Sequence, residues 1–232
     1  GVYSNPILEG SHPDPSICRV GDEYLMVTST FEYLPGLPVH RSRNLVDWEL
    51  IGHVITDQLD FTGVDASRGL FAPTIRHDDG GVYVVCTHLP GTTQPPERSG
   101  HFLVTATDPA GPWSEPVWLD GLPGIDPSLT FDGDRVWLTG TAPAAEPEWD
   151  GQCDVWIVEL DRDSFAPVGE RHAIWQGALC GAAWAEGPHV IAHPDGGWML
   201  VAAEGGTDRL QAERLDGAAS NWRPEWFDTQ TA

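Results

Sequence analysis

Three acidic residues in this chain have types and positions that suit acid–base chemistry. Asp14 lies between two prolines in "SHPDPSI", Asp126 precedes a proline in "GIDPSL", and Glu186 comes two residues before one in "AEGPHV". Like charges crowded together raise at least one pKa, and a neutral carboxylic acid beside an ionised one is the pair that general acid–base catalysis requires. If the fold brings these side chains together, they form a candidate catalytic site.

Each acidic residue also has a plainer interpretation. An Asp-Pro pair taken singly is more often a turn that starts a strand, and we expect Pro13 and Pro15 to hold the backbone extended around Asp14. Three carboxylates also suit Ca²⁺ or Mg²⁺, but those ions usually need further ligands from a local loop, and no DxDxDG loop is present. Glycoside hydrolysis fits better, because one carboxylic acid protonates the leaving oxygen while a carboxylate activates water.

The acidic residues belong to an internal repeat. Four anchor positions lie 58, 54 and 60 residues apart, at Asp14, Ala72, Asp126 and Glu186. After each anchor come two β-rich runs joined by an acidic-glycine turn, which is typical of a tight hairpin. Further β-rich runs complete about four strands per unit, with almost no helical periodicity. This pattern predicts an all-β fold of the β-propeller type, because a β-sandwich would not repeat at a fixed period.

The propeller geometry would gather the acidic residues. Innermost strands line the central axis, so equivalent residues of successive blades surround it. Asp14, Asp126 and Glu186 would then converge at one end of the channel. The aromatic residues near the anchors, Phe31 and Phe71, would form the apolar sides of a sugar pocket.

Composition excludes several classes of function. The formal net charge of −23 would repel nucleic acid and anionic membranes, so neither is expected as a partner. All 12 basic residues are arginine, which excludes Schiff-base lysines and lysine-dependent phosphate loops. The four cysteines form no CxxC pair, and we expect buried free thiols. With no membrane-length apolar run and no signal-peptide pattern, we expect a cytoplasmic location.

Seven motifs occur in order and at blade spacing between about residue 5 and residue 207: "NPILEGSHPDPSI", "STFEYLPGLPVHRSRNLVDWELIGH", "GLFAPTIRH", "GPWSEPVWL", "GIDPSL", "AEGPHV" and "AEGGT". Together they resemble glycoside hydrolase family 43, and more narrowly its β-xylosidase and α-L-arabinofuranosidase branch. The resemblance implies a five-bladed propeller that hydrolyses glycosides with inversion. It implies no cofactor and no metal for the chemistry itself.

The resemblance also implies a role for each candidate residue. Asp14 would be the general base that activates water, Asp126 would orient the acid and keep its pKa raised, and Glu186 would be the general acid. Phe31 and Phe71 match positions that line the subsite for the terminal sugar. The implied reaction is exo-acting release of xylose, L-arabinofuranose or both from small xylan-derived oligosaccharides, and the sequence does not distinguish the two sugars.

The family pattern continues further than this sequence does. It includes a fifth blade, and this branch commonly adds a C-terminal β-sandwich, whereas about four units account for residues 1–232. We expect a single propeller domain that is either incomplete at its C-terminus or unusually short. In the last unit we expect "RLQAERL" to form the third strand and "RPEWF" the fourth. A missing blade would expose sheet edges, which leaves pairing with another chain open.

Two other functions remain alternatives to the glycosidase. One is a non-catalytic or inactive sugar-binding propeller derived from the same family, which would keep the pocket without the contributions of the missing blade. The other is a propeller scaffold for protein partners. The three carboxylates disfavour the scaffold, because a scaffold has no need of acidic side chains at these axial positions.

Overall fold

The computed structural model describes residues 3–91, 98–179 and 181–205, together with the backbone of strand 225–227. These residues form β-strands, turns and irregular segments, and no helix occurs among them. Within the same ranges, nothing has the length and apolar character of a membrane-spanning helix. The chain divides into two compact units, Gly1–Leu122 and Pro123–Ala232. The single domain expected over residues 1–232 stays a prediction.

The first unit contains two antiparallel sheets. Its first sheet has the strand order β1-β2-β3-β4, and in its second sheet the order is β5-β7-β8-β9 with β6 also paired to β7. The strands are β1 Ser16–Val20, β2 Glu23–Val27, β3 Gly36–Ser42, β4 Glu49–Ile55, β5 Gly69–Leu70, β6 Thr74–Asp78, β7 Gly81–Leu89, β8 Gly100–Ala106 and β9 Val117–Trp118. The predicted hairpins are confirmed: Asp79 and Gly80 join β6 to β7 with positive φ angles of 45° and 76°, as a type I′ turn requires.

The second unit also contains two antiparallel sheets, with the orders β10-β11-β12-β13 and β14-β15-β16. The strands are β10 Ile125–Asp132, β11 Arg135–Pro143, β12 Cys153–Leu160, β13 Pro167–Trp175, β14 Glu186–Ala192, β15 Trp198–Ala203 and β16 Glu225–Phe227. The strand predicted in "RPEWF" exists as β16, but its predicted place as a fourth strand is wrong because it pairs directly with β15. The strand predicted in "RLQAERL" lies outside the described residues.

Each unit has its own apolar core. In the first unit, side chains from both sheets form one buried cluster that includes Leu25, Ile75 and Phe102. In the second unit, a smaller cluster includes Val155 and Leu200. Burying one such side chain stabilises the folded state by about 1.5–3 kcal/mol relative to leaving it exposed, so these clusters hold the sheets of each unit together.

The cysteines match the expectation of free thiols where the structure describes them. Cys86 and Cys153 are buried and Cys18 is half-buried, all three unbonded to another sulfur. Burial raises the pKa of the Cys18 thiol to about 11, although the nearby Arg76 guanidinium lowers it. The fourth cysteine, Cys180, lies outside the described residues. These thiols are therefore packing groups, as predicted.

The two sheets of the second unit share an irregularity at the start of the first strand. In the third sheet, pairing passes from Ile125 opposite Thr141 to Ser128 opposite Thr139. Asp126 and the proline after it therefore face a single residue, which defines a β-bulge. The fourth sheet repeats the shift, from Glu186 opposite Ala203 to His189 opposite Val201.

The first unit contains the same bulge in both of its sheets. The Ser29 N–H donates to the Pro13 carbonyl at 3.1 Å, and the Phe71 N–H donates to the Thr87 carbonyl at 3.0 Å. Regular pairing then resumes at Ser16 opposite Val27 and at Thr74 opposite Val85. The predicted fourfold repeat is therefore present in the backbone hydrogen bonding as well as in the sequence.

Aligning the sheets on the bulge corrects one part of the predicted repeat. The residue directly before the bulge proline is the equivalent position, and its four occupants are Asp14, Ala72, Asp126 and Gly187. Glu186 lies one residue earlier, at the position that Phe71 occupies in the second sheet. The predicted equivalence of Glu186 with the two aspartates is wrong, because spacing along the chain does not fix the register of a bulged strand.

Candidate active site

Asp14 is held in a constrained backbone conformation at the bulge of the first sheet. Its φ is +52°, in the left-handed region, so the predicted extended backbone between the prolines is wrong. Asp126 has nearly the same angle, +57°, at the same bulge position. Aspartate is one of the few residues other than glycine that adopt this conformation readily. Strained backbone of this kind is often found at functional sites.

The carboxylate of Asp14 is fixed by a neighbouring hydroxyl. Ser29, which follows β2, donates a hydrogen bond of 2.5 Å from its Oγ to Oδ2 of Asp14. The Ser29 backbone N–H donates to the Pro13 carbonyl, so both groups of Ser29 bind the segment directly before β1 that carries Asp14. The candidate base is thus oriented by the partner strand of its own hairpin.

The second unit brings Asp126 against the segment that carries Glu186. The Gly187 N–H donates to Oδ2 of Asp126 at 2.9 Å. Gly187, directly after Glu186, has a φ of +57°. This is the same left-handed conformation that Asp126 has at the bulge of the preceding sheet. This contact links the carboxylate predicted to orient the acid with the residue next to the acid itself.

The buried thiol of Cys153 lies close enough to Glu186 and Asp126 for their charges to affect its pKa. The pKa of the Cys153 thiol is raised, first by burial and then by the negative charge of Glu186, with Asp126 contributing in the same direction. A hydrogen bond with Thr141 opposes this rise. Glu186 and Asp126 therefore act on the same buried point of the second unit.

The two predicted aromatic residues are brought together in the first unit. The rings of Phe31 and Phe71 lie edge to face, with centroids 5.7 Å apart and an interplanar angle of 75°. The Phe31 N–H donates to the Leu70 carbonyl at 2.9 Å, and the Leu70 N–H donates back to the Phe31 carbonyl at 3.0 Å. This close approach requires glycine at position 69, where a Cβ would lie 2.4 Å from the Phe31 carbonyl oxygen.

The predicted site residues thus divide between the units. Asp14, Phe31 and Phe71 belong to the first unit, and Asp126 and Glu186 belong to the second. Within each unit the predicted partners are neighbours, through the aromatic pair in one and the Asp126 contact in the other. The convergence of all three carboxylates stays a prediction.

A metal centre and an apolar cavity are the other kinds of site to weigh against this arrangement. Among residues 3–91, 98–179 and 181–205, no three His, Cys, Asp or Glu side chains are grouped as a metal site would need. The second unit also contains a mostly apolar cavity of about 510 Å³, whose lining includes Trp137, Ile174 and Trp198 but neither Asp126 nor Glu186. The lining residues come from both sheets of the second unit, and none of them is a predicted catalytic residue.

Sequence reasoning missed three residues of the site: Ser29, Thr141 and Cys153. Ser29 holds Asp14, Thr141 donates to the Ala185 carbonyl next to Glu186, and Cys153 lies in the field of the carboxylates. The repeat contained one usable signal, because a hydroxyl-bearing residue lies near the end of the second strand of the first three units, as the last residue of "MVTS", "VVCT" and "LTGT". Which partner each hydroxyl contacts is set by cross-strand packing and has no local signature.

The chain is similar to known proteins over most of its length. The chain spans 98% of its length in alignment with a xylosidase/arabinosidase of Butyrivibrio fibrisolvens, at 43% identity, and covers 43% of that protein. It is 39% identical to the non-reducing end alpha-L-arabinofuranosidase BoGH43B of Bacteroides ovatus, covering 96% of this chain and 40% of the relative. The crystal structure of a xylan beta-1,4-xylosidase from Bacillus halodurans C-125 superimposes with a TM-score of 0.79 at 36% identity, covering 89% of this chain and 40% of that chain.

The described sheets and their structural relatives define an all-β fold of the β-propeller class, as predicted. The family model for glycosyl hydrolases family 43 matches residues 3–231. The chain belongs to this family, which confirms the resemblance found in its motifs. It spans about two fifths of the length of the curated relatives it matches.

Proposed function

We propose that this chain carries the catalytic carboxylates of an exo-acting, inverting glycoside hydrolase. Asp14 is the general base that activates water, Glu186 is the general acid that protonates the leaving oxygen, and Asp126 orients that acid and modulates its pKa. In an inverting mechanism the acid and the base act on opposite faces of the sugar, and the water attacks directly. No covalent glycosyl intermediate forms.

The observation that carries this proposal is the hydrogen bond from the Gly187 N–H to Oδ2 of Asp126. It ties one carboxylate to the backbone beside another, which is the relation expected between a group that orients an acid and the acid itself. Asp14 supports the proposal separately, because its backbone has the same left-handed conformation and its carboxylate is fixed by Ser29. Two aspartates with left-handed backbone at equivalent bulges, each with its carboxylate held by a hydrogen bond, exceed what strand initiation requires.

We propose xylose, L-arabinofuranose or both as the sugar released, from small xylan-derived oligosaccharides. The curated relatives named for xylosidase or arabinosidase activity support this substrate class. The edge-to-face pair of Phe31 and Phe71 supplies an apolar wall of the kind that packs against a sugar ring. Family membership and the paired carboxylates favour this function over the non-catalytic alternative.

The experiment that tests the proposal compares leaving groups. Turnover of xylobiose and of 2,4-dinitrophenyl β-D-xyloside is measured for the wild type, Glu186→Gln and Asp14→Asn. Loss of a general acid should slow xylobiose hydrolysis by about 10²–10⁴-fold and affect the dinitrophenyl substrate much less, since that leaving group needs little protonation. Loss of the base should slow both substrates alike.

Glu170→Gln is the matched control, because Glu170 is an exposed glutamate within β13. It should leave both rates unchanged. The anomeric form of the first product, followed by ¹H NMR, should be α-xylose from the β-xyloside if hydrolysis inverts. Equal turnover in the wild type and Glu186→Gln on xylobiose, or a β-anomer as the first product, would contradict the mechanism.

A further inference from the structure

A side-chain hydroxyl recurs opposite the start of the bulge in three of the four sheets. This position faces, across the hairpin, the residue directly before the bulge, and its occupants in chain order are Ser29, Thr87, Thr141 and Ala203. A hydroxyl at this position is therefore a feature of the repeat. The fourth sheet lacks it, with Ala203 at this position and Gly187 at the bulge.

The three hydroxyls have different partners. Thr87 Oγ1 lies 2.9 Å from Nδ1 of His101, and Thr141 Oγ1 donates to the Ala185 carbonyl. In the first sheet, Ser29 Oγ donates to Oδ2 of Asp14. Of the three, the hydroxyl that meets a carboxylate is the one next to the proposed general base.

The hydrogen bond from Ser29 to Asp14 is well suited to fix the orientation of the Asp14 side chain. Ser29 is 2% exposed, and its backbone N–H donates to the Pro13 carbonyl. The separation of 2.5 Å between Ser29 Oγ and Asp14 Oδ2 is that of a short hydrogen bond between a hydroxyl and a carboxyl oxygen. Among the described residues, the only hydrogen bond to the Asp14 carboxylate is the one that Oδ2 receives from Ser29. One carboxylate oxygen is therefore held and the other is left to accept a proton.

We propose that Ser29 is a positioning residue for the hydrolysis, holding Oδ2 of Asp14 so that Oδ1 faces the water it deprotonates. This inference rests on the proposed role of Asp14 as general base. A base must lie within hydrogen-bond reach of the proton it abstracts, so free rotation of the Asp14 side chain about χ1 would lower the fraction of productive encounters. Ser29 acts through Asp14 and does not touch the sugar.

The kinetic test uses Ser29→Ala, Ser29→Thr and the matched control Thr87→Ala. On 4-nitrophenyl β-D-xyloside, Ser29→Ala should lower kcat by about 10- to 100-fold with KM little changed, because the lost contact orients the base without binding substrate. Ser29→Thr keeps the hydroxyl and should restore most of the activity. Thr87→Ala removes a buried hydrogen bond at the equivalent position of the next sheet and should leave kcat near the wild-type value.

A second measurement does not depend on turnover. The three-bond coupling between the backbone ¹⁵N and the carboxyl ¹³Cγ of Asp14 reports whether its χ1 angle is fixed. It should have a single-rotamer value in the wild type and in Ser29→Thr, and an averaged value in folded Ser29→Ala. An unchanged coupling in Ser29→Ala, or equal losses of kcat in Ser29→Ala and Thr87→Ala, would overturn the inference.

The failure of the proposed function has a different signature. If the wild type is no faster than Asp14→Asn, the assignment of Asp14 as base is wrong, whatever the coupling shows. If Asp14→Asn abolishes turnover while Ser29→Ala keeps both the wild-type kcat and the wild-type coupling, the base stands and the positioning role of Ser29 is wrong.

Discussion

Replacing Gly69 with alanine should disrupt the segment that carries Phe31. Gly69 has a φ of +95°, and a Cβ placed there would lie 2.4 Å from the carbonyl oxygen of Phe31 and 2.9 Å from its carbonyl carbon. Both are backbone atoms, so no side-chain rotation can relieve the contact. The Phe31 segment must move, and the reciprocal hydrogen bonds between Phe31 and Leu70 must weaken.

The magnitude follows from two contributions. Alanine in a left-handed conformation costs roughly 1–2 kcal/mol, and the loss of one to two backbone hydrogen bonds costs about 1 kcal/mol each. We therefore expect Gly69→Ala to lower the free energy of unfolding by roughly 2–4 kcal/mol. The matched control is Gly80→Ala, because Gly80 has a φ of +76° and, apart from its chain neighbours, no heavy atom of the described residues lies within 4 Å of the added methyl group. It should show the conformational cost alone, roughly 1–2 kcal/mol.

Urea unfolding followed by tryptophan fluorescence measures both variants. Gly69→Ala should be the less stable, and its KM for aryl β-xyloside should rise because Phe31 no longer packs edge to face against Phe71. Gly80→Ala should keep the wild-type KM. The reasoning is refuted if the two variants lose the same stability, since the clash with Phe31 would then cost nothing beyond the strained φ.

Three further predictions concern ionisable groups. Glu186→Gln should lower the pKa of the Cys153 thiol, because it removes a nearby negative charge. Iodoacetamide should therefore label Cys153 faster in this variant than in the wild type at mildly alkaline pH. An unchanged labelling rate would show that the charge of Glu186 does not affect that thiol. Burial lowers the pKa of His40 below its usual 6.5. The stability that neutral His40 contributes is therefore present above pH 6.5 and is lost as the pH falls below that value and the imidazole is protonated. His40→Gln should flatten the pH dependence of the urea midpoint below pH 6.5, and a profile identical to that of the wild type would contradict this prediction. The hydrogen bond from Arg135 lowers the pKa of Glu159, so this pair stabilises the fold above the usual glutamate pKa, and the stabilisation fades as pH falls. Because Arg135 is exposed and Glu159 is only partly buried, Glu159→Gln should change the acid limb of the stability curve only slightly, and a large change would contradict this placement.

Much of the architecture was readable from the sequence because its determinants are local. The acidic-glycine turns at Asp79-Gly80 and around Gly133 fix hairpins by the backbone angles they require, and those hairpins are present. Repetition of the same plan at nearly constant spacing indicated the propeller. The acidic, aromatic and proline-rich motifs are contiguous segments, and they were enough to indicate the family that the comparisons confirm.

The equivalence of the anchors needed the register of the strands. Counting along the chain aligned Glu186 with Asp14, whereas the hydrogen bonding aligns Gly187 with Asp14 and Glu186 with Phe71. A bulge adds a residue to one strand without changing the hydrophobic pattern that precedes or follows it. A one-residue offset is therefore invisible in spacing and becomes visible only when the partner strand is in place.

The sequence by itself determined the all-β class, the hairpins, the family and the identity of the acidic and aromatic candidates, because turn chemistry and contiguous motifs depend on neighbouring residues. The tertiary structure decided the left-handed backbone at Asp14, the hydroxyl of Ser29 on its carboxylate, and the Gly187 amide on Asp126. These contacts join residues 15 and 61 positions apart, and only cross-strand pairing and the packing of adjacent sheets bring such residues within hydrogen-bond distance.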